Sequence, residues 1–137
     1  MICLSLQKLD YAGLIRAVSN SEMSEIRLDL TQLTNGEVAG LFATKHSLIA
    51  TCRLENLPQE ECYEKLMSAI EGNGPKEGAS YRKYIDIELD SPDYYRDRLI
   101  AAARVNNFGI ILSHHDYNNC DPLERLTEIA QSAYEKG

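Results

Sequence analysis

Five strand-like runs, each followed by a helical pattern, alternate along this chain without interruption. The runs lie at 2–6, 24–30, 47–53, 84–89 and 108–114, and the helical patterns at about 10–20, 34–44, 57–71, 92–106 and 122–136. In the last pattern Leu123, Leu126, Ile129, Ala130 and Ala133 recur at three and four residues, the spacing of one helix face. Strand–helix–strand repetition demands parallel strands joined by right-handed crossovers. That requirement restricts the chain to the α/β class.

Helix starts support the segmentation. Thr34 with Glu37 forms a capping-box pattern, Asn56 with Gln59 a weaker one, and Ser91-Pro92-Asp93 and Asp121-Pro122-Leu123-Glu124 place a cap before proline. The Gly72–Ser80 stretch is the one long loop. It follows a helix rather than a strand, so it reads as a helix stop and connector, not a phosphate cradle.

Parallel strands covered on both faces read as near-continuous apolar runs, and these do not. Glu25, Arg27 and Asp29 alternate with Ile26, Leu28 and Leu30, and Asp86, Glu88 and Asp90 alternate with Ile87 and Leu89. Thr51 and Arg53 oppose Ala50 and Cys52, and Ser113 and His115 oppose Leu112 and His114. Side chains alternate across a strand, so four successive strands carry their polar groups on one common face. Two architectures fit. One is a two-layer sheet with helices on one side and water on the other. The second is a (β/α)8 barrel, here about five units, whose inward polar groups crowd at the C-terminal mouth where barrel enzymes place their sites.

Net charge is −7, with no Lys/Arg block, which argues against nucleic-acid or anionic membrane partners. No run approaches the length of a membrane span, and the N-terminus lacks a basic leader. Cys3, Cys52, Cys62 and Cys120 form no CxxC pair or metal-like spacing, and read as small buried hydrophobes in a reducing, cytoplasmic setting. His114-His115 could suggest a metal, but neighbouring strand residues point to opposite faces, so no metal site is expected.

Four motifs in order resemble the type I 3-dehydroquinate dehydratases. Glu25-Ile26-Arg27-Leu28-Asp29 resembles the family's E-x-R-x-D second strand. Ile49-Ala50-Thr51-Cys52-Arg53 resembles the third strand with its terminal arginine, and Asp86-Ile87-Glu88-Leu89 the fourth. Ser113-His114-His115-Asp116-Tyr117 is similar to the S-x-H-[DN]-[FY] segment, which places the catalytic histidine at His115. Tyr134-Glu135-Lys136-Gly137 resembles the end of the fifth helix. The resemblance spans the chain but only the first five of eight barrel units. It implies one partial-barrel domain over 1–137, lacking strands six to eight and the Schiff-base lysine of strand six. One departure falls inside the matched region: position 57 is Leu where the family usually has Glu, with Glu55 and Glu88 as possible electrostatic substitutes.

The implied activity is dehydration of 3-dehydroquinate to 3-dehydroshikimate through an imine, a shikimate-pathway lyase reaction with no cofactor. His115 would be general base and acid, since an unperturbed imidazole titrates near ~6.5. Glu25, Arg27 and Arg53 would contact substrate; Asp86, Glu88 and Ser113 would support them, with Asp86 orienting Arg53 or a downstream group and Glu88 deeper in the barrel. Glu25–Arg27–Asp29 could equally be a structural ion network. The implied partner is the small-molecule substrate, and the unpaired edges of an incomplete barrel lead us to expect a homo-oligomer. A non-catalytic binding or assembly module, or another barrel lyase or aldolase, are the alternatives.

Overall fold

The computed structural model describes residues 2–116 and 121–136; Tyr117, Cys120 and Gly137, named above, lie outside the described residues. Strands β1 (Cys3–Leu6), β2 (Met23–Arg27), β3 (Leu48–Thr51), β4 (Lys83–Glu88) and β5 (Gly109–Ser113) form one parallel sheet in sequential order. Helices α1 (Tyr11–Val18), α2 (Asn35–Phe42), α3 (Gln59–Glu71), α4 (Asp93–Val105) and α5 (Leu123–Lys136) follow them in turn. This sequential, all-parallel order is that of a (β/α) barrel wall.

Parity decides which face the helices cover. Ile26, Leu48, Ala50, Ile85 and Ile87 are buried in one cluster with Leu14, Leu41, Leu66 and Leu99, one from each of α1 to α4. Burying a side chain of this size contributes roughly 1.5–3 kcal/mol, so the apolar face captures the helices and the charged face stays open. Helix α5 has no buried residue; Leu123 and Leu126 are exposed.

Local signals explain two helix starts. The Asp10 carboxylate accepts from the Gly13 amide at 2.7 Å, and Thr34 and Glu37 form the expected reciprocal capping box. Two expected caps are corrected. Helices α3 and α4 begin after Pro58 and Pro92 without a side-chain cap. Asn56 instead gives its amide to Asp29, and the Ser91 hydroxyl donates to the Glu88 carbonyl. Asn56 found a partner on another element, 27 residues away, and Ser91 turned back to a carbonyl three residues before it.

The strands also stop short of their expected ends. Leu28–Leu30 is a 3-10 turn, and Arg53 lies two residues beyond β3. Cys52 and Cys62 are buried, but Cys3 is exposed, because β1 is an edge strand. Gly109 faces Tyr84 in register, and a Cβ there would lie 2.5 Å from the Tyr84 ring. The glycine leaves room for that ring on the open face.

Lys83, the first residue of β4, is 1% exposed and sits on the helix-covered face. Its ammonium donates to the Thr44 carbonyl at 2.9 Å and lies 5.5 Å from the Phe42 ring centre. Burial lowers its pKa from 10.5 to about 8. Between these values the unfolded chain holds a proton that the folded chain has released, so Lys83 makes stability rise with pH across that window. The buried Cys52 and Tyr95 groups, raised above their ordinary values, oppose this at high pH. The expected outcome is therefore a difference: parent minus Lys83→Met stability, from urea unfolding, is flat below about pH 8 and increases towards pH 10.5. A pH-independent difference would mean that Lys83 titrates normally.

Candidate active site

The open face gathers its ionisable groups at the C-terminal strand ends. Register places Arg27 beside Thr51, Thr51 beside Asp86, and Glu88 beside Ser113. Residues paired this way in a parallel sheet share a face, so rows of polar groups run across β2 to β5.

The centre is a closed triangle. Arg53 Nη2 donates to Asp86 Oδ2 at 2.8 Å, Arg53 Nη1 donates to Ser113 Oγ at 2.7 Å, and Ser113 Oγ donates to Asp86 Oδ1 at 2.5 Å. The Arg53 and Asp86 side chains are each 8% exposed. A buried pair persists only when its remaining donors and acceptors are also satisfied, and Ser113 does this for both. Of the two partners expected for Asp86, Arg53 is the one bonded to it here.

A second group forms at the end of β2. Arg27 Nη2 and Nε donate to the two oxygens of Asp29 at 2.7 and 3.1 Å, and the Asn56 amide donates to Asp29 at 2.7 Å. Burial pushes the Asp29 carboxyl up, but the Arg27 and Asn56 bonds outweigh it, and the net pKa is lowered. The Glu25 carboxylate accepts from the Thr51 hydroxyl at 2.9 Å. The charged face of β2 thus holds a fixed ion pair, with Arg27 partly exposed beside it.

His115 is exposed and lines a cavity of about 240 Å³ with Leu54, Glu88, Asp90, Ser91 and Ser113. His114 is engaged elsewhere: its Nδ1 lies 2.7 Å from Asp90, a residue of the cavity's rim, and its Nε2 3.6 Å from Asp121. Glu88 is the last residue of β4 and accepts from the Leu54 amide at 2.9 Å, so it lies at the mouth and Asp86 is the deeper carboxylate. That reverses the expected depth, because β4 runs one pleat past Asp86 before turning. Glu55 is exposed in the turn after β3. Asp90 sits in the turn beyond β4, not on the strand.

Sequence reasoning missed three contributors. Asn56 and the Leu54 amide tether the turn after β3 to β2 and β4. Arg96 of α4, 2% exposed, donates to the Leu89 and Ser91 carbonyls at 3.2 and 3.0 Å and pairs with Asp93, fixing the turn after β4. An arginine on the apolar stripe Tyr95, Leu99, Ile100 and Ala103 was the available signal for the last. Among the described residues, no cluster of three or more His, Cys, Asp or Glu could hold a metal, and no helix is long and apolar enough to cross a membrane.

A sequential parallel sheet that gathers arginines, carboxylates and a histidine at its C-terminal ends fits the wall of an α/β barrel with its site at the mouth. The type I 3-dehydroquinase family model matches residues 2–137, and the chain belongs to that family. A 3-dehydroquinate dehydratase of Thermococcus gammatolerans is 30% identical over 118 residues, covering 82% of this chain and 50% of the relative. The chain thus spans about half the length of the curated relative it matches. Membership decides between the two architectures left open by strand parity: the wall is that of a (β/α)8 barrel, not of a two-layer sheet.

Proposed function

We propose that these 137 residues supply the acid–base and part of the substrate-binding half of a type I 3-dehydroquinate dehydratase, folded as one unit over 1–137. The observation that carries this reading is the Arg53–Asp86–Ser113 triangle beside the His115 cavity. Arg53 and Arg27 offer guanidinium donors to the hydroxyl and carboxylate oxygens of 3-dehydroquinate; Asp86, Ser113 and Glu25 hold that surface in shape. His115 takes the proton from the carbon next to the imine and returns one to the leaving hydroxyl as water departs. Glu88, in the same cavity as His115, takes the electrostatic place of the carboxylate absent at Leu57. The reaction needs a lysine to form the imine, and no metal or cofactor.

No lysine lies on the open face of any of the five strands; Lys83, the only one within them, faces the helices. That observation favours a second reading, in which the 137 residues alone bind without catalysing, as a binding or assembly module. Both edges of the sheet, β1 and β5, pair with one neighbour each, and the apolar side chains of α5 are exposed. Such edges invite association, and in this reading the chain is a cytoplasmic homo-oligomer that binds its small molecule without converting it.

The reading is tested by joining residues 1–137 to the part of the Thermococcus relative that follows the match. Dehydratase activity and a borohydride-trapped substrate adduct are expected for the joined protein, with neither for residues 1–137 alone. Light scattering should show the 137-residue chain larger than a monomer. An inactive but folded joined protein would favour the binding module, and a stable monomer of the short chain would remove the edge argument.

A further inference from the structure

Away from the mouth, Cys52 and Cys62 bring their sulfurs to 3.0 Å, both within the core. Cys52 follows β3 on the helix-covered side, immediately before Arg53, and Cys62 occupies the first turn of α3. The Cys62 sulfur also stands 3.6 Å from the Arg53 carbonyl and 3.9 Å from that of Leu57. Among the described residues the two thiols have no further hydrogen-bond partner, and neither has a part in the proposed dehydration.

We propose that Cys52 and Cys62 form a redox modification site, a dithiol converted by a small peroxide into an intramolecular disulfide. The sulfurs need to close from 3.0 Å to about 2.05 Å, a movement within reach of side-chain torsions. In the first step one thiolate attacks a peroxide oxygen, the O–O bond breaks, and a sulfenic acid and one water form. The second sulfur then displaces the sulfenic hydroxyl as a second water, forming the S–S bond. Two electrons pass from the sulfurs to the peroxide, and both thiol protons end in water.

Burial and the bond between the thiols hold Cys52 in its protonated form, so the folded core resists attack. The route in is the start of α3, which lacks a side-chain cap, so its first turn opens more easily than a capped one. Once formed, the link would enclose Arg53, Leu54 and Asn56, the residues that tie this turn to Asp86, Glu88 and Asp29. Oxidation would therefore brace the backbone that carries the mouth's arginine. This inference stands independently of the dehydratase reading.

The test uses the reduced 137-residue chain with Cys3 and Cys120 replaced by Ser, exposed to hydrogen peroxide and then alkylated. The expected product has lost the mass of two hydrogens, yields a peptide pair joining Cys52 to Cys62, and returns to the dithiol with a reductant. Closing so short a loop should also raise Tm by roughly 5–10 °C. Adding Cys62→Ser should abolish the mass loss. Should that variant fail to fold, the peptide map of its parent decides alone. Free alkylatable thiols at both positions, or sulfinic acid at Cys52 without a cross-link, would overturn the proposal.

Discussion

Replacing Arg53 by Ala should lower stability by about 3–5 kcal/mol, the usual cost of stranding one member of a buried ion pair. The change removes the guanidinium but leaves the Asp86 carboxylate, 8% exposed, with Ser113 as its one remaining partner among the described residues. It also removes the donor that satisfies Ser113. A second substitution, Asp86→Leu in the Arg53→Ala background, should recover part of the loss, because an apolar pair of similar volume has no charge to desolvate. Urea unfolding of the three variants checks this. A loss below about 1 kcal/mol for Arg53→Ala would place the pair with solvated surface bridges and remove the fixed triangle from the mouth.

In the joined protein described above, His115→Ala should reduce turnover on the order of 10²- to 10⁴-fold, the range typical of a lost general acid–base. Borohydride trapping of the substrate should persist, because imine formation belongs to the lysine. His114→Ala should cost turnover far less, since His114 is held by Asp90 and Asp121 and does not itself line the cavity that His115 lines. The two histidines are adjacent and follow the same strand end, and they differ in what each meets. Equal losses at both would contradict the division of roles between the two histidines.

The rhythm of elements and the polar face were legible because each depends on local geometry. A period of two sets which residues share a strand face, and register then brings Thr51 to Asp86 and Glu88 to Ser113 without further instruction. The turns were not legible. Reading β2 through to Leu30 kept Asp29 on a strand, whereas the chain coils at Leu28 and delivers Asp29 to Arg27 and Asn56. Asn56 carried a helix-cap pattern, yet its partner lies 27 residues away, where no local rule looks. Lys83 marks the same boundary. Nothing local marks it as buried, and the carbonyl of Thr44, 39 residues distant, gives its ammonium an acceptor.

The proposed function requires the C-terminal ends of β2 to β5 to recognise 3-dehydroquinate. The most direct measurement is a titration of isotope-labelled 137-residue chain with 3-dehydroquinate, followed by NMR of backbone amides and arginine side chains. Saturable shifts should concentrate at Arg27, Arg53, Leu54, Glu88, Ser113 and His115, and should vanish in the Arg53→Lys variant, which keeps the charge but loses the two-pronged donor. Shifts confined elsewhere, such as the groove between Tyr63 and Tyr94, or unchanged binding by Arg53→Lys, would contradict it.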